Sequence, residues 1–254
     1  MANKIANLLF SSIAWTHLAI FGRAKVREFS AKHRREAEGQ VNLRFGAYGI
    51  WFLAFLACAI AVAFSFAALD MPVARWAFVY MNRMAPLGQG LGSAVLMSFE
   101  AATVVALVLA RLVRGSISPL GKVTALACLT SLCAYALDSG VLKIFFGVPN
   151  PYDALTERTH HAFHLFAGSP SSGFPSSHMA LAGAFAGVFM ELYPFSIRIF
   201  SALLLLGAAL LILGDWHFVS DVIAGGFVGV SAGLLAGQLW RIHSDWGATE
   251  SRAS

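Results

Sequence analysis

Four ionisable residues stand at the ends of apolar stretches: Lys143, His178 within Pro175-Ser176-Ser177-His178, and His217 with Asp221. Apolar spans exclude charge, so ionisable groups kept at their ends are costly unless they serve a function. In a helix His217 and Asp221 are i and i+4 and share one face. A carboxylate on one imidazole nitrogen fixes the tautomer and makes the other nitrogen a better nucleophile. Trp216, Phe218 and Val219 surround that histidine with apolar groups, which limits water. Pro175 suits the first turn of a helix. Ser176 and Ser177 then bring hydroxyls and backbone N–H groups to a positive helix end, which is an anion site. The types and order of these groups point to phosphoryl transfer through a phosphohistidine. Each fragment alone has a plainer explanation: Asp221 as a helix cap, a serine as an N-cap, Lys143 snorkelling to the interface. Their combination is what calls for a site.

The elements that must position them are membrane helices. The chain has 254 residues, 58% hydrophobic and 12% charged; a soluble domain averages about 25% charged. Hydropathy predicts six transmembrane helices over 46–69, 93–113, 123–145, 175–194, 196–214 and 219–240, each near the ~20 residues a bilayer core requires. The expected fold is all-α: a six-transmembrane-helix bundle over 46–240, an amphipathic, basic N-terminal helix within 1–45, and a tail over 241–254. The segment 147–174, rich in Gly, Pro, Ser and His, is predicted to be a lid or binding loop. Cys58, Cys128 and Cys133 all lie in apolar stretches and read as small packing residues.

The net charge of +5 does not signal nucleic acid, because its basic residues crowd the N-terminal segment from Lys4 to Arg44. That is the pattern of a cytoplasmic juxtamembrane region on anionic lipid. Of the 18 Lys and Arg, only Arg75, Arg83, Lys143 and Arg158 fall on the other side of a six-span topology. Both termini are therefore expected in the cytoplasm, and all four chemical residues on the exoplasmic face. A bacterial inner membrane with a periplasmic site is the expected setting.

Taken together, the three segments resemble the type 2 phosphatidic acid phosphatase superfamily, whose motifs read K-x(6)-R-P, P-S-G-H and S-R-x(5)-H-x(3)-D. Here they stand as Lys143…Asn150-Pro151, Pro175-Ser176-Ser177-His178 and Leu210-Leu211…His217…Asp221. The resemblance covers about residues 46–240. It implies that His217 attacks phosphorus, Asp221 orients His217, and His178 protonates the leaving oxygen. It also implies that Lys143, Ser176 and the N–H of Ser177 hold phosphate oxygens, with Asn150 at the first arginine position as a further phosphate-binding candidate and with no metal or other cofactor. The implied partners are a membrane lipid substrate and the bilayer itself.

Four positions depart from the motifs. Asn150 and Leu211 replace the two arginines, Leu210 the serine and Ser177 the glycine. Each lost guanidinium is a lost bidentate contact to phosphate. Three readings follow. The protein is a lipid phosphatase with another cation filling in, Arg158 being the candidate and His160, His161 and His164 further contributors. Alternatively, it is a phosphodiester head-group transferase or phospholipase C-like enzyme resembling sphingomyelin synthase, since a monoanionic diester needs fewer cations. Or it is a non-catalytic relative that binds a lipid. A proton-coupled transporter using Glu100, Asp138 and Glu191 lacks the two-half repeat of that class. A metal held by His161 and His164 is the weakest pattern of all.

Overall fold

The computed structural model describes residues 49–81, 85–156 and 160–253. The expected N-terminal amphipathic helix within 1–45 and the candidate cation Arg158 lie outside the described residues. The described residues from Leu56 onward form one compact unit, and the chemistry lies there.

Every regular element among the described residues is a helix. In chain order these are α1 (Gly49–Ala68), α2 (Asp70–Tyr80), α3 (Ala85–Arg114), α4 (Pro119–Leu137), α5 (Lys143–Phe146), α6 (Pro151–Thr156), α7 (Ser177–Leu192), α8 (Ile197–Leu213) and α9 (Val219–Ala253). A five-residue π-helical turn, Asp138–Leu142, joins α4 to α5. Among the described residues five helical stretches are long and apolar enough to cross a membrane: Gly49–Ala68, Gly92–Arg114, Pro119–Thr156, Pro194–Leu213 and Val219–Ser244. The predicted span over 175–194, fourth in chain order, is shorter than expected, because Pro175 and Ser176 are not helical and the helix proper covers only the 16 residues of α7.

α7 is nevertheless the most enclosed helix. Ser177 to Leu181, Gly183, Ala184 and Ala186 to Val188 are all buried, whereas α8 buries only Leu211. The enclosure comes from α9. A Cβ on Gly225 would lie 2.3 Å from the Ser176 carbonyl oxygen, one on Gly229 2.2 Å from that of Ala180, and one on Gly233 2.3 Å from that of Ala184. The three contacts advance together along both chains, so α7 and α9 run parallel with a constant register. Small residues at four-residue spacing let two helix backbones approach this closely, which is the main attraction available between helices in lipid. At the far end Arg241 of α9 donates to Glu191 of α7.

Local sequence explains the other ends. Pro119 follows Ser118, whose hydroxyl accepts from the Gly121 N–H at 3.1 Å and caps α4. α5 stops at Gly147, whose φ of +62° is the left-handed conformation that glycine adopts freely. The segment after it returns to the α5 end: the N–H groups of His164, Phe166 and Gly168 donate to Phe146, Phe145 and Ile144 at 3.0, 2.8 and 3.1 Å. Phe146, Phe163 and Phe174 pack edge to face beneath it. The 147–174 segment is thus bonded into the bundle at its two described ends.

Candidate active site

The site forms where the N-terminal ends of α7 and α9 meet the C-terminal end of α4–α5. The glycine register sets this meeting, and one hydrogen bond locks it: the Ser176 N–H donates to the Asp221 carbonyl at 3.0 Å. The two predicted motifs on α7 and α9 are therefore joined through backbone.

His178 and His217 face each other, with His178 Nδ1 and His217 Nε2 3.2 Å apart. The other nitrogen of His217, Nδ1, lies 3.4 Å from Asp221 Oδ2. That carboxylate oxygen is also held by the Phe218 N–H at 2.9 Å, so the group orienting the imidazole is itself fixed. His217 is 2% exposed and Asp221 fully buried. Burial holds the His217 imidazole well below the usual histidine range, the Lys143 ammonium pushes the same way, and a backbone hydrogen bond at Gly173 opposes them. The ring is accordingly neutral near pH 7, the state in which a nitrogen lone pair can attack phosphorus.

Lys143 is 4% exposed, and its ammonium donates to the Ser172 carbonyl. The π-helical turn adds one residue between Asp138 and Lys143, turning both toward the N-terminal end of α7; such bulges recur at functional sites. Asp138 Oδ2 accepts from Ser177 Oγ at 2.5 Å, and Ser139 Oγ stands 3.2 Å from the same hydroxyl. Ser177 is thus directed to α4. Ser176 Oγ accepts from the Met179 N–H at 3.4 Å and caps α7.

The two positions without arginine are put to other uses. Asn150 caps α6: its Oδ1 accepts from the Asp153 N–H at 2.9 Å, and its Nδ2 donates to Asp153 Oδ2 at 2.7 Å. Leu211 is 8% exposed and packs with Met179 and Val222, whereas Leu210 is 61% exposed. Lys143, His178, His217, Asp221 and the α7 N-terminus converge; the Asn150 side chain is engaged outside that group.

Sequence reasoning passed over Asp70. Its Oδ1 accepts from the Ser220 N–H at 3.0 Å and its Oδ2 from Ser220 Oγ at 2.5 Å. It caps the first turn of α9 and braces the residue beside Asp221. His161 Nε2 is 3.4 Å from Asp70 Oδ2, with its ring between Phe66 and Phe218 at centroid distances of 4.1 and 4.2 Å. Of the three loop histidines, His161 alone is drawn in; His160 and His164 are exposed. The signal for Asp70 was an acid in the apolar run directly after the first span. Among the described residues no three His, Cys, Asp or Glu side chains gather as a metal site.

Residues 121–244 match the family model of the PAP2 superfamily. No curated protein matches the chain. A similar solved structure is the transmembrane PAP2 type phosphatidylglycerolphosphate phosphatase from Bacillus subtilis. It is 16% identical, covers 75% of this chain and 96% of its own, and gives a TM-score of 0.44.

Proposed function

From the match of residues 121–244 to the PAP2 superfamily model we propose that the chain is a membrane lipid phosphatase or phosphotransferase of that family, working through a phosphohistidine. The observation that carries this reading is the chain of contacts Asp221–His217–His178, with a buried neutral imidazole at its centre. His217 Nε2 attacks phosphorus, and the bond from phosphorus to the leaving oxygen breaks. His178 supplies the proton to that oxygen. Water or an acceptor hydroxyl then attacks the phosphohistidine, giving up its proton to His178 and regenerating His217. Asp221 holds the imidazole in the tautomer with its lone pair on Nε2. Lys143, Ser176 and the α7 N-terminus stabilise charge on the phosphate oxygens. Because the two imidazoles touch, the phosphate must enter between them.

We assign α7 as the remaining one of six spans, fourth in chain order, which puts the site on the exoplasmic face and both termini in the cytoplasm. The lipid enters sideways, with its chains along the helices.

A second reading is favoured by one observation. Among the described residues Lys143 is the only buried lysine or arginine, and the two positions without arginine serve elsewhere: Asn150 caps α6 and Leu211 is in an apolar cluster. A site with so few cations suits a monoanionic phosphodiester, and so a head-group transferase or phospholipase C-like reaction.

Lipid mass spectrometry on membranes bearing wild type or His217→Ala separates the two. Disappearance of a lipid monoester with release of free phosphate only in the wild type identifies the phosphatase. A new phosphodiester lipid with diacylglycerol identifies the transferase. Either activity is expected to fall by about 10⁴-fold or more in His217→Ala, as losses of a covalent nucleophile do, and to be inhibited by vanadate. Full activity in His217→Ala sinks the phosphohistidine mechanism.

A further inference from the structure

A cavity of about 250 Å³ opens between α3, α7 and α8, away from the histidines. Its lining is apolar except for Glu100. On α7 it is lined by Leu181, Ala182, Phe185 and Ala186, which follow His178 at i+3, i+4, i+7 and i+8 and so share its helical face. On α3 it is lined by Leu96, Phe99 and Glu100, which follow Gly92 at i+4, i+7 and i+8. A Cβ on Gly92 would lie 3.5 Å from His178 Nε2. Two separate helices thus lead from the same histidine down the walls of the same cavity.

Glu100 is 6% exposed. Ser131 Oγ lies 2.9 Å from Glu100 Oε1 and 2.7 Å from the Leu181 carbonyl, and its single hydrogen serves only one of them at a time. Glu100 Oε2 is buried with no hydrogen-bond partner among the described residues. A carboxyl oxygen left unsatisfied in an apolar cavity within the bilayer is costly. A ligand that brings a donor removes that cost. Eight residues of helix separate Gly92 from Glu100, so Glu100 stands about 12 Å along α3 from the glycine beside His178.

We propose that this cavity receives a hydrocarbon chain of the lipid substrate, and that Glu100 selects a chain carrying a hydrogen-bond donor, a hydroxyl or amide N–H, in its upper part. The inference rests on the lipid-phosphate reading of the histidine site and names the class of lipid that site would take. The apolar walls hold the methylenes, while Oε2 of Glu100 accepts from the chain's donor. A plain chain fills the same space but leaves Oε2 unsatisfied, so discrimination comes from the cost of leaving a buried acceptor without a partner.

The test uses full-length protein in mixed micelles with two lipid phosphates of equal chain length, one hydroxylated near the head-group end of its chain and one plain. The wild type is expected to favour the hydroxylated lipid by about tenfold in kcat/KM, the scale of one buried hydrogen bond. Glu100→Leu brings the ratio to about one, and Glu100→Gln, whose amide oxygen still accepts, keeps part of it. Ala182→Phe, which fills the cavity, weakens both lipids. A wild-type ratio of one, or a ratio unchanged in Glu100→Leu, overturns the assignment. The same two lipids are competed for binding to His217→Ala by native mass spectrometry, where no turnover is needed. If the wild type releases phosphate from neither lipid, the phosphatase reading falls, and the binding ratio, with and without Glu100→Leu, decides the chain site alone.

Discussion

One face of α7 lies backbone to backbone against α9 through Gly225, Gly229 and Gly233; the opposite face stands off from α3 and α8 around a cavity. The two faces belong to one 16-residue helix, so propensity does not separate them. What differs is side-chain volume on the facing helix. Glycines permit contact at van der Waals distance and fix register to within a residue. Leu, Phe and Ala on the other side fill space unevenly and leave a gap. The tight face sets where His178 meets His217, which must hold to a fraction of an ångström for a transfer step. The loose face has no such requirement and can take up a ligand.

The comparison is broken most severely at Gly229. In Gly229→Ala the new Cβ would have to sit 2.2 Å from the Ala180 carbonyl oxygen, which only a shift of backbone can relieve. We expect a loss of about 3 kcal/mol, with activity falling more than about tenfold as the histidines separate. Thermal unfolding in detergent together with turnover measures both. Wild-type stability in this variant would mean that the α7–α9 register is not what holds the site.

The next effect concerns the turn that delivers His217. Asp215 has φ of +57° and both carboxyl oxygens buried without a hydrogen-bond partner among the described residues. Burial pushes its carboxyl up to about 7. The folded state then binds a proton that the unfolded chain releases near pH 4, so stability falls as pH rises through the interval between them. Asp215→Asn is expected to flatten that decline, a change of a few kcal/mol, leaving stability lowest-cost to maintain on the acid side unchanged. Parallel pH–stability curves for the two proteins would refute the assignment.

On the loose face, Ala182→Leu adds volume where a cavity already exists. Its effect on stability should stay within about 1.5 kcal/mol, in contrast to its neighbour Gly183, where a Cβ would lie 3.0 Å from the Val230 backbone nitrogen. The smallest effect is expected at Gly207 in α8, where a Cβ would meet nothing within 4 Å. Gly207→Ala should be neutral or stabilising by up to about 1 kcal/mol, the helix-propensity difference alone. The same chemical change at Gly229 and Gly207 thus measures how much of a glycine's importance is its neighbour.

Much of this was legible in the chain. His217–Asp221 at i, i+4 and Pro175 before two serines and a histidine are local patterns whose residues do meet, but His217 lies in the turn before α9 and Pro175 precedes the Ser176 cap of α7, so neither stands in the helix its spacing suggested. Hydropathy located the apolar stretches, yet it overstated α7, because a window average does not register that Phe174 and Pro175 bend and that Ser176 caps the helix. The glycine spacing 225, 229, 233 was also present, but its meaning depends on which helix lies opposite. Asp70 was less accessible still: its partner Ser220 is 150 residues away, and no periodicity links the two.

The sequence by itself determined the membrane class, the helical elements and the order of the chemical residues, because hydropathy and i, i+4 spacing act over a few turns. Tertiary structure alone decided that Asn150 caps a helix, that Leu211 joins an apolar cluster, that a π-helical turn brings Lys143 and Asp138 to the site, and that Glu100 faces a cavity. Each of those depends on what stands across from the residue, and a chain does not encode its neighbours until its helices have packed.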